Sequence, residues 1–163
     1  MGDFSHRAAT ALLSSELLPV TIRMKLMRAL GFEFADDACI WAGASLRSKK
    51  ITIEPGVFIN VGFFHDGFDY LHIRRNVRIG QFVRVLTATH DIGPSHQRGL
   101  IEVVGQPVEI QEGCWIGANS TILPGVVVAP GCVIGAGSIV LRSTEPNGVY
   151  AGNPARLVRL LEE

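Results

Sequence analysis

Residues 110–145 read IQEGCW IGANST ILPGVV VAPGCV IGAGSI VLRSTE when broken every six residues. An aliphatic opens each hexad: Ile110, Ile116, Ile122, Val128, Ile134 and Val140. Four places on stand small or medium residues, Cys114, Ser120, Val126, Cys132 and Ser138, mostly preceded by Gly or Asn. A period of six matches neither the 3.6 of a helix nor the 2 of an ordinary strand. It matches a short strand followed by a sharp turn, where Gly and Asn tolerate positive φ. Three hexads close a triangular coil of 18 residues, so that like residues stack between coils. Cys114 and Cys132 are 18 apart, as are Ser120 and Ser138. The two cysteines therefore read as small inward fillers rather than reactive groups.

The beat continues upstream with interruptions. Ile40 and Leu46 are six apart, as are Ile53 and Ile59 after a one-residue slip, and Ile73, Ile79 and Val85 carry it on. From Ile59 to Ile73 the chain holds two residues too many, which predicts a bulge near His65–Tyr70. From Val85 to Ile110 it holds 25 residues, which predicts an excursion at Asp91–Gly105, DIGPSHQRGLIEVVG. Loops leaving a rigid scaffold are where function concentrates. The fold class is thus all-β: a parallel β-helix of about five coils over residues 33–154. Residues 1–32 read as an N-terminal helical cap, with Ile22, Leu26 and Leu30 along one face and Arg23, Lys25 and Arg28 interspersed. A solenoid needs such a cap over its first open coil; a basic membrane-surface helix is the competing reading of the same pattern. After Asn153-Pro154, residues 155–163 read as a short C-terminal helix.

Composition narrows the function. With 163 residues, 47% of them hydrophobic, one packed domain is expected. Fifteen basic residues balance fifteen acidic ones, so there is no global charge for nucleic acid. Three scattered cysteines make neither a disulfide framework nor a C-x-x-C zinc site. No apolar run approaches the roughly 18 residues of a membrane span, and the first residues carry no signal pattern. The expected setting is cytoplasmic, without membrane insertion.

Several pieces resemble a known family: Thr89-His90 before the excursion, Gly113-Cys114-Trp115-Ile116-Gly117, Pro124-Gly125-Val126, Ile134-Gly135-Ala136-Gly137-Ser138-Ile139-Val140, and Ala151-Gly152-Asn153-Pro154-Ala155-Arg156. The sequence from about residue 51 to 160 is similar to the left-handed β-helix acyltransferases of the maltose, galactoside and nodulation acetyltransferase type. The resemblance implies a left-handed coil, acetyl-CoA as co-substrate, no metal, and a homotrimer with sites in the clefts between neighbouring β-helices. It implies His90 as the catalytic base, and Asn60, Asp66 and Trp115 as acceptor contacts. It implies Ala118 and Ala136 as coil positions along the pantetheine arm, and Arg142, Arg156 and Arg159 around the nucleotide end. Leu141 departs from the hydroxyl residue that often precedes Arg142 in the family.

The chemistry is consistent with these residue types. A hydroxyl is a poor nucleophile at neutral pH, whereas a thioester is already activated, so the protein must chiefly remove one proton and align two substrates. A histidine titrates near the operating pH and can take that proton. The expected reaction is O-acetylation of a sugar or polysaccharide precursor. N-acetylation of an amino sugar is the alternative, followed by a γ-class carbonic anhydrase, in which three histidines would hold zinc across a subunit interface. His65 and His96 are further candidates for acceptor contacts, and His72, 18 residues before His90, is expected to stack under it. Arg74, Arg75 and Arg78 read as a solvated coil face.

Overall fold

The computed structural model describes residues 12–162. Three parallel sheets form the walls of a prism. The first face stacks Glu33–Phe34, Ile51–Ile53, Leu71–Ile73, Val108–Ile110 and Val127–Val128. The second stacks Cys39–Ile40, Phe58–Ile59, Arg78–Ile79, Trp115–Ile116 and Val133–Ile134, then Gly148–Ala151. The third stacks Ser45–Leu46, Phe64–His65, Arg84–Val85, Thr121–Ile122 and Ile139–Val140. These make five full coils, with Gly148–Ala151 opening a sixth.

The periodic aliphatics are the core. Ile40, Ile59, Ile79, Ile116 and Ile134 form one inward column, each at most 1% exposed, and Ile53, Ile73, Ile110 and Val128 form another. Cys114, Cys132, Ser120 and Ser138 are buried at the turns between faces. Burial pushes the Cys114 thiol up to about 12, which makes it inert as a nucleophile. Ser120 Oγ donates to the carbonyl oxygens of Gly117 at 2.7 Å and Gly135 at 3.0 Å, tying one coil to the next.

The three corners differ in length. At the first corner and the second, inward residues are always six apart, as in Ile73 to Ile79 and Ile79 to Val85. The third corner, which returns from the third face to the first, absorbs every insertion. It takes seven residues from Leu46 to Ile53, eight from His65 to Ile73 and 25 from Val85 to Ile110, and returns to six only from Ile122 to Val128. The longest insertion is a β-hairpin, Ala88–Ile92 paired antiparallel with Gly99–Gly105. The excursion therefore starts at Ala88 rather than Asp91, because Ala88 and Thr89 already pair with Gly105 and Val104. His90 is consequently a hairpin residue and not the last residue of its coil.

Two further expectations change at the ends. The helix Val20–Ala29 buries Arg23, Met24 and Met27, while Ile22, Leu26 and Leu30 stay 43–47% exposed. The face turned to the coil is the one carrying the arginine. The guanidinium of Arg23 donates to the carbonyls of Leu13, Ile40, Ser15 and Leu18 at 2.6–3.2 Å, tying the cap to the first coil. Gly31, at φ +87, ends the helix, with Gly31 N–H on the Arg28 carbonyl and Phe32 N–H on the Met27 carbonyl. The part of the expected cap at residues 1–11 lies outside the described residues. At the other end, Arg156–Leu160 is a strand and not a helix. It runs antiparallel to Gly148–Ala151, after a reversal through Gly152 and Asn153-Pro154. Gly148–Ala151 would otherwise be an open sheet edge, and five residues of R-L-V-R-L gain more from that ladder than from one helical turn.

Candidate active site

His90 sits on the hairpin at a register irregularity between His90 and Ile92, opposite Val103. Bulges re-aim a side chain. Its Nδ1 lies 3.1 Å from the carbonyl oxygen of Glu102 on the facing strand. A carbonyl can only accept, so Nδ1 is the donor of this bond, and the tautomer that it selects in a neutral ring leaves Nε2 as the acceptor. The ring is exposed.

The hairpin is rooted by Asp66 in the neighbouring coil. Its carboxylate accepts from the backbone N–H of Thr87 at 2.9 Å, of Ala88 at 3.1 Å and of Phe68 at 3.3 Å, and from the Thr87 hydroxyl. Thr87 is buried, and its Oγ1 also accepts from Asp69 N–H at 2.9 Å. Four hydrogen bonds engage the lone pairs of one carboxylate, so Asp66 here holds the root of the hairpin.

The second corner is built of backbone. A Cβ on Gly117 would lie 2.6 Å from both the Ala136 nitrogen and the Ile134 oxygen, and one on Gly80 2.7 Å from the Ala118 nitrogen. Successive coils therefore approach as only glycine allows. The ladder uses the N–H groups of Gly117, Asn119, Gly135 and Gly137 on the carbonyls of Ile134, Gln81, Tyr150 and Ala118. Those of Ala118 and Ala136 stand between them outside the ladder. Asn60 opens the same corner two coils above Ala118, with its Oδ1 accepting from Val61 N–H at 2.8 Å. Trp115 faces outward on the second face, 59% exposed, in register with Arg78 and Val133. Arg142 leaves the third corner, and Arg156 and Arg159 lie on the C-terminal strand opposite Ala151 and Val149. All three are exposed and make no ion pair among the described residues.

The remaining candidates are dispersed. His65 is fully buried in the inward column between Leu46 and Val85, so it is not a surface contact. Neither of its ring nitrogens makes a hydrogen bond of ordinary geometry. Burial holds its pKa below the ordinary histidine range, against the opposing pull of the Asp66 carboxylate and the Asp69 backbone. His72 is in register with Thr52 and Glu109, not under His90, because the hairpin intervenes. Its Nδ1 meets Thr52 Oγ1 at 2.8 Å, and Tyr70 stacks on its ring at 5.9 Å. His96 is exposed near the hairpin turn. Within one chain these histidines lie apart, and no group of three ligating side chains gathers among the described residues. Arg74 bonds Glu54 at 2.9 Å and Glu109 at 2.7 Å, and the Glu54 carboxyl is held below its usual range by that guanidinium. Arg78 lies 5.8 Å from the Phe58 ring.

A model of the bacterial transferase hexapeptide, six repeats, matches residues 107–142. The chain is a hexapeptide-repeat protein. The hexapeptide-repeat chain is 35% identical over 125 residues to a Dictyostelium discoideum protein assigned by name to the acetyltransferases, a match covering 68% of the chain. It spans 65% of that relative's length and 43% of a similarly named one from Schizosaccharomyces pombe. Among solved structures it resembles a hexapeptide-repeat acetyltransferase from Vibrio cholerae at a TM-score of 0.85 and 28% identity, over 100% of this chain and 94% of that one. The Vibrio protein has also been solved with acetyl-CoA. A maltose O-acetyltransferase from Clostridium difficile matches at a TM-score of 0.85 and 27% identity, over 99% and 88%. The coil is the left-handed parallel β-helix of these proteins.

Sequence reasoning missed two parts of this site. The Glu102 carbonyl that orients His90 is a backbone group and leaves no residue-type signal. The link from Asp66 to Thr87 spans 21 residues, and only the two-residue surplus after His65 hinted that the segment was special.

Proposed function

We propose that the protein is an acetyl-CoA-dependent acetyltransferase acting on a hydroxyl of a sugar or polysaccharide precursor in the cytoplasm. The observation that carries the reading is the His90 ring, tethered through Nδ1 to the Glu102 carbonyl with Nε2 left to accept a proton. In the reaction the acceptor oxygen attacks the thioester carbonyl while its proton passes to Nε2 of His90. The tetrahedral intermediate then collapses with cleavage of the C–S bond, and the imidazolium returns the proton to the departing thiolate. No enzyme nucleophile is needed in such a ternary complex. A backbone N–H at the Gly117–Ala118 turn would stabilise the oxyanion, and the N–H groups of Ala118 and Ala136 would line the pantetheine arm. Arg142, Arg156 and Arg159, free of ion pairs among the described residues, would take the phosphates of the nucleotide. Asn60 and Trp115 would contact the acceptor.

Within one chain His90 rises from the third corner, whereas Ala118 and Ala136 occupy the second. The reading therefore places the site between copies, in a homotrimer where the hairpin of one faces the second corner of the next. The test is an acceptor screen with acetyl-CoA, read by release of free thiol. Thiol release dependent on a saccharide hydroxyl supports the proposal. Release dependent only on amino sugars would favour N-acetylation, and none with any acceptor would reject acyl transfer.

A further inference from the structure

At the second corner, the third residue after each inward aliphatic is left-handed in every full coil. Gly43, Gly62, Asn119 and Gly137 fill it at φ +58 to +74, as a turn of that conformation favours. In the third coil the position holds Phe82, at φ +56. A bulky side chain in this region is an outlier that its surroundings must enforce, and such outliers cluster at functional sites. The core does not call for the ring, which is 51% exposed. The ring lies instead over the corner of the coil above. A Cβ on Gly62 would meet Phe82 Cδ1 at 2.3 Å and Cε1 at 2.6 Å, so only glycine there lets it lie flat. The ring thus lies against the coil that also carries Asn60, two residues before Gly62 in sequence, and not against the coils below that carry Ala118 and Ala136. The third coil is also the one whose end opens into the hairpin of His90.

We propose that Phe82 is a specificity-determining residue, supplying the apolar platform on which the acceptor sugar lies while His90 of the neighbouring copy takes its proton. The assignment rests on the acetyl-transfer reading above. Binding sites pair an apolar or aromatic surface with a few polar groups that fix orientation. The Phe82 ring would supply the surface, and Asn60, on the corner that the ring covers, the polar group.

The test replaces Phe82 with the two residues that this turn holds elsewhere, Phe82→Gly and Phe82→Asn, and follows thiol release with maltose and methyl β-D-galactoside as acceptors. Both variants should keep the unfolding midpoint and assembly size of the parent, since the new residues suit the backbone. The acceptor KM should rise at least about tenfold, with the KM for acetyl-CoA changed less than about twofold. An unchanged acceptor KM overturns the assignment, as does a rise confined to acetyl-CoA, which would put the ring on the cofactor side. Loss of the parent assembly in both variants also overturns it, because the ring would then be subunit packing. Absence of turnover with either sugar in the unaltered protein would defeat the sugar-acetylation reading first, and this platform with it.

Discussion

The second and third corners of the prism are made from the same repeat and do opposite things. The second never changes length; its glycines bring backbone onto backbone, and at Ala118 and Ala136 it leaves N–H groups outside the ladder. The third takes every insertion and carries the Asp66 latch, the hairpin and His90. One corner is a fixed rail and the other a mounting point. A six-residue repeat can hold both because each corner closes independently of the other two.

The largest expected effect comes from emptying the mounting point. His90→Ala should lower turnover by at least about 10², with binding of CoA nearly unchanged and the fold intact. Calorimetric titration with CoA beside steady-state rates checks both halves, and near-normal turnover would remove His90 from the chemistry.

The rail should fail in stability instead. Gly117→Ala places a methyl against Ala136 and Ile134 backbone atoms that cannot step aside, and should cost about 1–3 kcal/mol in denaturant unfolding. Gly99→Ala, on the hairpin with open space around its added Cβ, should stay within about 0.5 kcal/mol of the parent. Equal costs at the two sites would erase the contrast between the corners.

Asp66→Asn sharpens the same contrast. An amide cannot accept all four bonds, so the root of the hairpin loosens. The turnover number should fall roughly tenfold at saturating acceptor while the acceptor KM hardly moves. The reverse pattern would return Asp66 to the acceptor contact that the family resemblance implies.

The smallest effect concerns His65. Its folded pKa is depressed, so between that value and about 6.5 the unfolded chain binds more protons than the native one. The associated stability is complete above about pH 6.5 and declines as pH drops toward the folded value. His65→Leu removes the buried imidazole and matches Leu46 in the same column. It should flatten that acid decline, so that the stability difference between pH 8 and pH 5 is smaller in the variant than in the parent.

The coil was legible because its signal is repeated. Ile110 through Val140 announce six positions each confirmed by the next, and the surpluses after Leu46, His65 and Val85 locate the insertions by subtraction. What happens inside an insertion follows no period. The pairing of Ala88 and Thr89 with Val104 and Gly105, and the Asp66 bonds to Thr87, depend on contacts between segments that sequence spacing does not relate. The N-terminal helix misled for another reason. Ile22, Leu26 and Leu30 suggested the buried face, but the carbonyls of Leu13, Leu18 and Ile40, without another backbone donor among the described residues, selected Arg23 instead. An unmet hydrogen-bonding need outweighed an apolar stripe. At the C-terminus a free ladder edge likewise drew Arg156–Leu160 into a strand.

The central claim is that one copy supplies His90 and its neighbour supplies the Ala118–Ala136 rail. Mixed assemblies test it directly. His90→Ala lacks the base and Ala136→Trp blocks the rail, so each alone should be inactive. Co-expressed, the two should recover activity, because some clefts then combine an intact hairpin with an intact rail. If the purified mixed assembly stays as inactive as its parents, the two halves of the site belong to the same chain and the account is wrong.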